Sequence, residues 1–343
     1  MRQIWITRAG GPEVLQIREA ADPAPAAGEV RIRVRAIGIN FADTMARLGL
    51  YPDAPPLPFV PGYEVSGVID AVGAGVDASR VGERVVALTR FNGYADTVCA
   101  LSAAALPLAA NISFAAGASI PVVWLTAWHM LVNLGNVHKG QRVLVHAAAG
   151  GVGTAALQIA RHFGAEVLGT ASPGKHARLR EMGITHAIDY RSQDFEAEVM
   201  RLTEGKGVHI ALDAVGGKSF KKSYRTLAPA GRLMMFGASA VSSGLGRNLF
   251  AAIGTMVSMP IFFPVPLMSN NRGVLGVNMG RLWGEVDLLS GYLVEILKGM
   301  EDGRFKPIVD MELPFEEAGK AHERLAAREN FGKVVLTIGG AGK

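Results

Sequence analysis

Three glycines in the stretch Val143 to Thr154, VLVHAAAGGVGT, have the spacing that a bound pyrophosphate requires. Val143, Leu144 and Val145 read as a short buried strand; small residues follow, and Gly150, Gly151 and Gly153 open a helix. Backbone with almost no side chains can approach a phosphate closely. The helix N-terminus then presents N–H donors and the positive end of its dipole. Ala147, Gly150 and Gly153 fill the three fingerprint positions, so the motif reads AxxGxxG in place of GxGxxG. Such turns also arise from packing alone, and the surrounding sequence has to decide.

The next strand supplies a second signal. At its end an NAD site places a carboxylate on the ribose 2′-hydroxyl. Here the chain reads Gly169-Thr170-Ala171-Ser172-Pro173-Gly174-Lys175, with no acid. The Ser172 hydroxyl and the Lys175 ammonium suit a 2′-phosphate, which needs donors and positive charge. The plain alternative is a helix-capping serine followed by an exposed lysine. The missing carboxylate favours NADP(H) over NAD(H). His146, within the first strand, reads as a packed core residue, and the histidines show no spacing suited to a metal.

These residues need a scaffold, and the chain changes texture along its length. Residues 1–120 alternate short apolar strands with Gly and Pro, as in Val30 to Ile39 (VRIRVRAIGI), which predicts a compact, partly open β-barrel. Ala115 to Leu134 reads as helical. Strands are then expected at Val143–His146, Val167–Thr170, Ala187–Tyr190, His209–Asp213, Leu233–Gly237 and Gly273–Val277, with helices between them. That alternation predicts an α/β doubly wound parallel sheet. Beyond it, strands near Ile308–Leu313 and Lys333–Ile338 are expected to return to the first barrel, making that domain discontinuous.

Composition narrows the class. The 343 residues are 49% apolar and 19% charged, as in a globular protein with room for two cores. Net charge is +5, but the basic residues are scattered without interleaved aromatics, so no nucleic-acid partner is expected. A single cysteine, Cys99, excludes an internal disulfide and a thiolate-rich zinc site. No secretory signal core is visible at the N-terminus, which is consistent with the cytoplasm. Leu249 to Leu267 is nearly uncharged, yet Pro260, Pro264 and Pro266 argue against a membrane span. A greasy lip, a dimer contact or a membrane-touching loop fits it better.

Gly140-Gln141-Arg142-Val143-Leu144, continuing through Ala148-Ala149-Gly150-Gly151-Val152-Gly153 to Gln158 and Arg161, resembles the signature of the quinone oxidoreductase/zeta-crystallin family. This family belongs to the medium-chain dehydrogenase/reductase superfamily. Asn40-Phe41-Ala42-Asp43, Arg47 to Tyr51, Val60-Pro61-Gly62, Leu125-Thr126-Ala127 and Phe331 to Val335 match it too, so the likeness covers nearly the whole chain. Gly169 to Glu181 and Asn271 to Gly276 are similar to the branch containing the vesicle amine transport protein of animals.

The resemblance implies a GroES-like catalytic domain over 1–122 and 280–343 and a Rossmann NADP(H)-binding domain over 123–279. Zinc-dependent members use a cysteine in the early loop and a Gly-His-Glu. This chain has Asn40-Phe41 and Gly62-Tyr63-Glu64, so no metal is expected and Glu64 should pair inside the fold. Chemistry would then rest on NADPH. By resemblance Asn40 and Tyr51 line the nicotinamide end and Thr126 faces the cofactor. Tyr51 is the leading proton or hydrogen-bond donor, and Tyr63 the second. Gly150, Gly151, Val152 and Gly153 would meet the pyrophosphate, and Ser172, Lys175 and Tyr190 the 2′-phosphate. Phe236 and Gly237 would lie near the nicotinamide ribose, and Asn330 where the family closes on the cofactor.

The expected function is a zinc-independent, NADPH-dependent reductase of a lipophilic quinone or enone, bound in the cleft between the domains. The rivals are a 2-enoyl-thioester reductase and a non-enzymatic, NADPH-binding protein that handles lipid at a membrane surface. Dimerisation is expected through the Gly273–Val277 edge strand.

Overall fold

The computed structural model describes residues 1–241 and 249–339; the side chains of 249–252 lie outside this description. Its contacts divide the described chain into two units, residues 1–125 with 279–339, and residues 126–241 with 249–278.

The first unit begins with a hairpin, β1 (Arg2–Ile6) and β2 (Leu15–Glu19). The long β3 (Glu29–Ile39) follows, then α1 (Phe41–Arg47), β4 (Glu64–Val72), β5 (Arg84–Leu88), β6 (Thr97–Leu101) and β7 (Ala105–Pro107). Alternation in β3 sends Val30, Ile32 and Val34 inward, while Arg31 and Arg33 pair outside with Asp70 at 2.8 and 2.6 Å. From Ala36 to Ile39 every residue is buried, because both faces are covered there. One edge of β3 carries β4; the other carries β6 along its first half.

The stretch expected to be one helix is broken. It forms α2 (Phe114–Ala118), α3 (Pro121–Trp128) and a π-helical turn over His129–Leu134. Pro121 starts a new helix, where its missing N–H costs nothing.

The second unit holds β8 (Arg142–Val145), α4 (Gly151–His162), β9 (Glu166–Ala171), α5 (His176–Glu181), β10 (His186–Asp189) and α6 (Phe195–Leu202). It continues with β11 (Val208–Asp213), α7 (Lys218–Arg225), β12 (Leu227–Met235), α8 (Leu249–Val257), α9 (Pro264–Asn270) and β13 (Gly273–Gly276). The sheet is fully parallel in the order β10-β9-β8-β11-β12-β13, the doubly wound Rossmann order. β12 starts earlier than the expected Leu233, because the chain passes through a bulge at Pro229-Ala230-Gly231, with Ala230 at φ 60°. The apolar 249–267 stretch is split by its prolines into two short helices. Among the described residues no helix is long and apolar enough to cross a membrane.

The chain then returns to the first unit through α10 (Val286–Glu301), β14 (Val309–Pro314), α11 (Ala318–Ala326) and β15 (Lys333–Thr337). β15 pairs with residues 36–39 of β3, completing the edge that β6 leaves.

His146 lies in the Rossmann core, where its ring nitrogens meet Thr170 Oγ1 at 3.1 Å and Ser223 Oγ at 2.9 Å. Burial holds this imidazole below its ordinary pKa. Asp213 beside it accepts from Ser219 and Ser223 at 2.7 Å each, and from the Val215 amide at 2.8 Å. Asp213→Ala would strand these buried donors and should destabilise the protein by about 2–4 kcal/mol in urea unfolding. A loss under about 0.5 kcal/mol, the level of a surface substitution, would contradict this account of the core.

Candidate active site

The candidate site residues fall into two groups, one in each unit. In the second unit they line the carboxyl edge of the sheet. After β8 the chain turns through Ala147, in the left-handed region at φ 51°, and α4 begins with Gly150 as its cap. A Cβ on Gly153 would stand 2.4 Å from the Ala147 carbonyl and 2.5 Å from that of Ala148, so this glycine lets the helix start against the turn. α4 therefore points its free N–H groups over the sheet edge at the β8/β11 switch point, where open α/β sheets bind ligands.

β9 and β10 run parallel with Ala171 opposite Asp189. The next residues along, Ser172 and Tyr190, thus emerge side by side at the same edge. Lys175 ends the short 3₁₀ turn that Ser172 begins. Phe236 follows β12, its N–H bonded to the Asp213 carbonyl at 3.1 Å, with Gly237 after it. The second unit thus gathers Gly150, Gly151, Val152, Gly153, Ser172, Lys175, Tyr190, Phe236 and Gly237 on one edge. No carboxylate stands at the end of β9, and the set fits a nucleotide with an extra phosphate. Thr126 is buried on α3.

In the first unit the site is built around a buried ion pair. Lys333 Nζ lies 2.5 Å from Glu64 Oε1 and donates to Asn40 Oδ1 at 2.5 Å. Asn40 Nδ2 donates to the same Glu64 oxygen at 2.9 Å, and Glu64 Oε2 accepts the Val122 N–H at 2.7 Å. Asn40 also caps α1: its N–H donates to Asp43 Oδ2 at 2.8 Å. Both Glu64 oxygens are thereby committed, and Tyr63 precedes it in the chain. Among the described residues no group of three or more His, Cys, Asp or Glu side chains converges as metal ligands would.

Tyr51 and Tyr63 meet edge to face, with centroids 6.3 Å apart, and Tyr63 also contacts Phe91 at 5.1 Å and Trp283 at 6.0 Å. Burial raises the pKa of both phenols, so both remain protonated at neutral pH. The backbone takes the left-handed conformation at Phe91 and Asn92, which aims the Phe91 ring at Tyr63 and Phe59. Asp53 and Arg281 form an ion pair, tying the Tyr51 loop to the chain before Trp283. Asn330 lies apart in the turn before β15, its amide donating to the Gly332 carbonyl at 2.8 Å.

Sequence reasoning missed several of these residues. Lys333 and Asp43 stood inside quoted motifs without a role, although a lysine opening an apolar strand is itself a sign of a buried partner. Tyr94 and His322 gave no local signal. Tyr94 OH bridges Asp43 Oδ2 at 3.2 Å and His322 Nε2 at 3.0 Å, all three fully buried.

Comparison with known proteins agrees with this architecture. Residues 26–132 match the alcohol dehydrogenase GroES-like domain, and residues 151–290 match the zinc-binding dehydrogenase model. The human synaptic vesicle membrane protein VAT-1 homolog is 40% identical over 99% of this chain and 87% of its own length. The crystal structure of Escherichia coli quinone oxidoreductase complexed with NADPH superposes with a TM-score of 0.86 at 30% identity, covering 98% of this chain and 100% of that one. The CurK enoyl reductase structure gives 0.85 at 28% identity, covering 98% and 99%. The fold and site define a medium-chain dehydrogenase/reductase, and within that superfamily the chain belongs to the quinone oxidoreductase-like family that includes the VAT-1 homologs.

Two buried groups give opposing pH dependences. Burial pushes the Asp43 carboxyl up from 3.8 to about 7, so its contribution to stability is present at acid pH and is lost as pH rises toward 7. Burial pushes His322 down from 6.5 to about 3, so its contribution is present at neutral pH and is lost as pH falls toward 3. Between pH 4 and 6.5 the two slopes cancel in large part. Asp43→Asn should therefore steepen the rise of stability with pH in this window by up to about 1.4 kcal/mol per unit. His322→Gln should change the slope in the opposite sense. Urea unfolding across the window checks both, and unchanged slopes in the two variants would contradict their burial as titrating groups.

Proposed function

We propose that this protein is a zinc-independent, NADPH-dependent reductase that delivers hydride to a quinone or an α,β-unsaturated carbonyl. The observation that carries the reading is the state of the former zinc position. Glu64 is fully engaged by Lys333, Asn40 and Val122, while two protonated phenols, Tyr51 and Tyr63, pack edge to face in the same unit. Such a site has no Lewis acid to polarise an alcohol or a simple ketone. A conjugated acceptor needs none, because conjugation spreads the developing charge onto an oxygen that a phenol can protonate.

NADPH supplies the hydride when bound. Gly150, Gly151, Val152 and Gly153 would hold its pyrophosphate, Ser172, Lys175 and Tyr190 its 2′-phosphate, and Phe236 and Gly237 its nicotinamide ribose. Asn40 and Thr126 line the nicotinamide end, and Asn330 closes on the cofactor. Tyr51 is the proton donor, with Tyr63 behind it: the half-buried Tyr51 is the more reachable, whereas the Tyr63 hydroxyl is buried.

Likeness to an enoyl reductase keeps 2-enoyl thioesters as a second substrate class on the same scaffold. We also infer a homodimer. β13 ends the sheet, and the adjoining α8–α9 segment exposes Val257, Ile261, Phe263 and Met268. A second copy would cover this face and pair with the open edge; a membrane surface is the competing occupant. The protein would act in the cytoplasm or on its membrane faces.

NADPH should bind at least about tenfold more tightly than NADH, and Lys175→Ala should remove most of that preference in a fluorescence titration. Equal affinities would overturn the cofactor reading. Wild-type protein should oxidise NADPH with quinones or enones, and Tyr51→Phe should lower kcat by about 10²-fold. Inactivity toward quinones, enones, enoyl thioesters and aldehydes alike would replace the reductase reading with a binding role.

A further inference from the structure

The Asn40 amide is held by charge. Lys333, Glu64 and Asn40 form a closed triangle, with the ammonium 2.5 Å from Glu64 Oε1 and from Asn40 Oδ1, and Asn40 Nδ2 2.9 Å from the same Glu64 oxygen. Turning an asparagine amide over hardly changes its shape, so shape alone leaves two orientations open. Here the reversed orientation would press the amide NH₂ against an ammonium and its oxygen against a carboxylate. Only one orientation survives. In it, one Nδ2–H is bound to Glu64, while the other has only the Gly38 carbonyl at 3.4 Å, beyond the range of a strong bond. That weakly held hydrogen is the one the amide can give to a ligand.

The triangle also spans elements far apart in the chain. Lys333 opens β15, Glu64 opens β4, and Asn40 caps α1. The second Glu64 oxygen takes the Val122 N–H in the first turn of α3, one turn before Thr126.

We propose that Lys333 is a positioning residue for the reduction: with Glu64 it locks the Asn40 amide so that one N–H is presented to the reacting pair. This rests on the reductase reading, in which Asn40 lines the nicotinamide end. Lys333 acts through Asn40, to which its ammonium donates.

Lys333→Met alone would leave the Glu64 carboxylate buried without its countercharge. The informative variant is therefore the neutral pair, Lys333→Met with Glu64→Gln, and Lys333→Arg retains the charge should the pair fail to fold. Three properties are measured: the side-chain amide NMR signals of Asn40, the melting temperature, and kcat and KM for NADPH. In the neutral pair the Asn40 amide signals should shift and kcat should fall by about tenfold, with KM for NADPH within about twofold of wild type. Adding Asn40→Ala should lower kcat little further, because the lock and the amide act as one unit. Lys333→Arg should recover kcat to within about threefold of wild type. Unshifted Asn40 signals, a wild-type kcat in the neutral pair, or additive losses would overturn the proposal. If Lys333→Arg alone folds, wild-type melting with kcat still down about tenfold would overturn the charge lock. If wild-type protein reduces no acceptor, the reductase reading fails by itself; the amide signals then decide whether the lock exists, and the catalytic purpose assigned to Lys333 falls with the reading.

Discussion

A buried ion pair between the last strand and the fourth holds the first unit to one arrangement. Lys333 and Glu64 are almost wholly removed from water, and each is satisfied only by groups from other elements. Breaking such a pair by removing one partner costs about 3–5 kcal/mol, because the remaining charge stays buried. The chain must therefore bring β15 back to β3 and β4 after the Rossmann unit has folded out of the middle of the sequence. The discontinuous domain follows from that demand together with the open half-edge of β3. The same ion pair commits Glu64, so one interaction bears on both the fold and the proposed chemistry.

The second unit meets a different constraint. A parallel sheet has to be covered on both faces, and its loops must leave the carboxyl edge clear for a ligand. Glycine at position 153 lets α4 begin against the Ala147 and Ala148 carbonyls, which places the helix N-terminus over that edge. His146 and Asp213 tie β8, β11 and α7 together beneath it. The polar groups nearest the nucleotide edge are thus divided between those that brace the sheet and those that remain at its rim, Ser172, Lys175 and Tyr190.

Much of this was legible in the sequence, for identifiable reasons. The Gly150–Gly153 turn, the acid-free end of β9 and the strand alternation after residue 140 are local patterns, and local patterns survive translation into structure. The alternation VRIRVRAIGI gave β3 its inward and outward faces directly. Errors came where tertiary context overrides local signals. Pro121 restarts a helix that periodicity read as continuous, and β12 begins before Leu233, through a bulge at Pro229-Ala230-Gly231. Glu64 was expected to pair internally and does, but its partner is hundreds of residues away, and no spacing rule links positions 64 and 333. The Asp43–Tyr94–His322 chain was hidden for the same reason: its members meet only when α1, the loop before β6 and α11 pack together.

The central claim is that reduction here runs without a metal, on the cofactor and the protein's own donors. Its most direct test is single-turnover oxidation of NADPH with a quinone, followed in protein stripped by a strong chelator and verified metal-free by elemental analysis. The account predicts full turnover at the same rate before and after stripping, with no gain on adding zinc. Loss of turnover on stripping that zinc restores would contradict it.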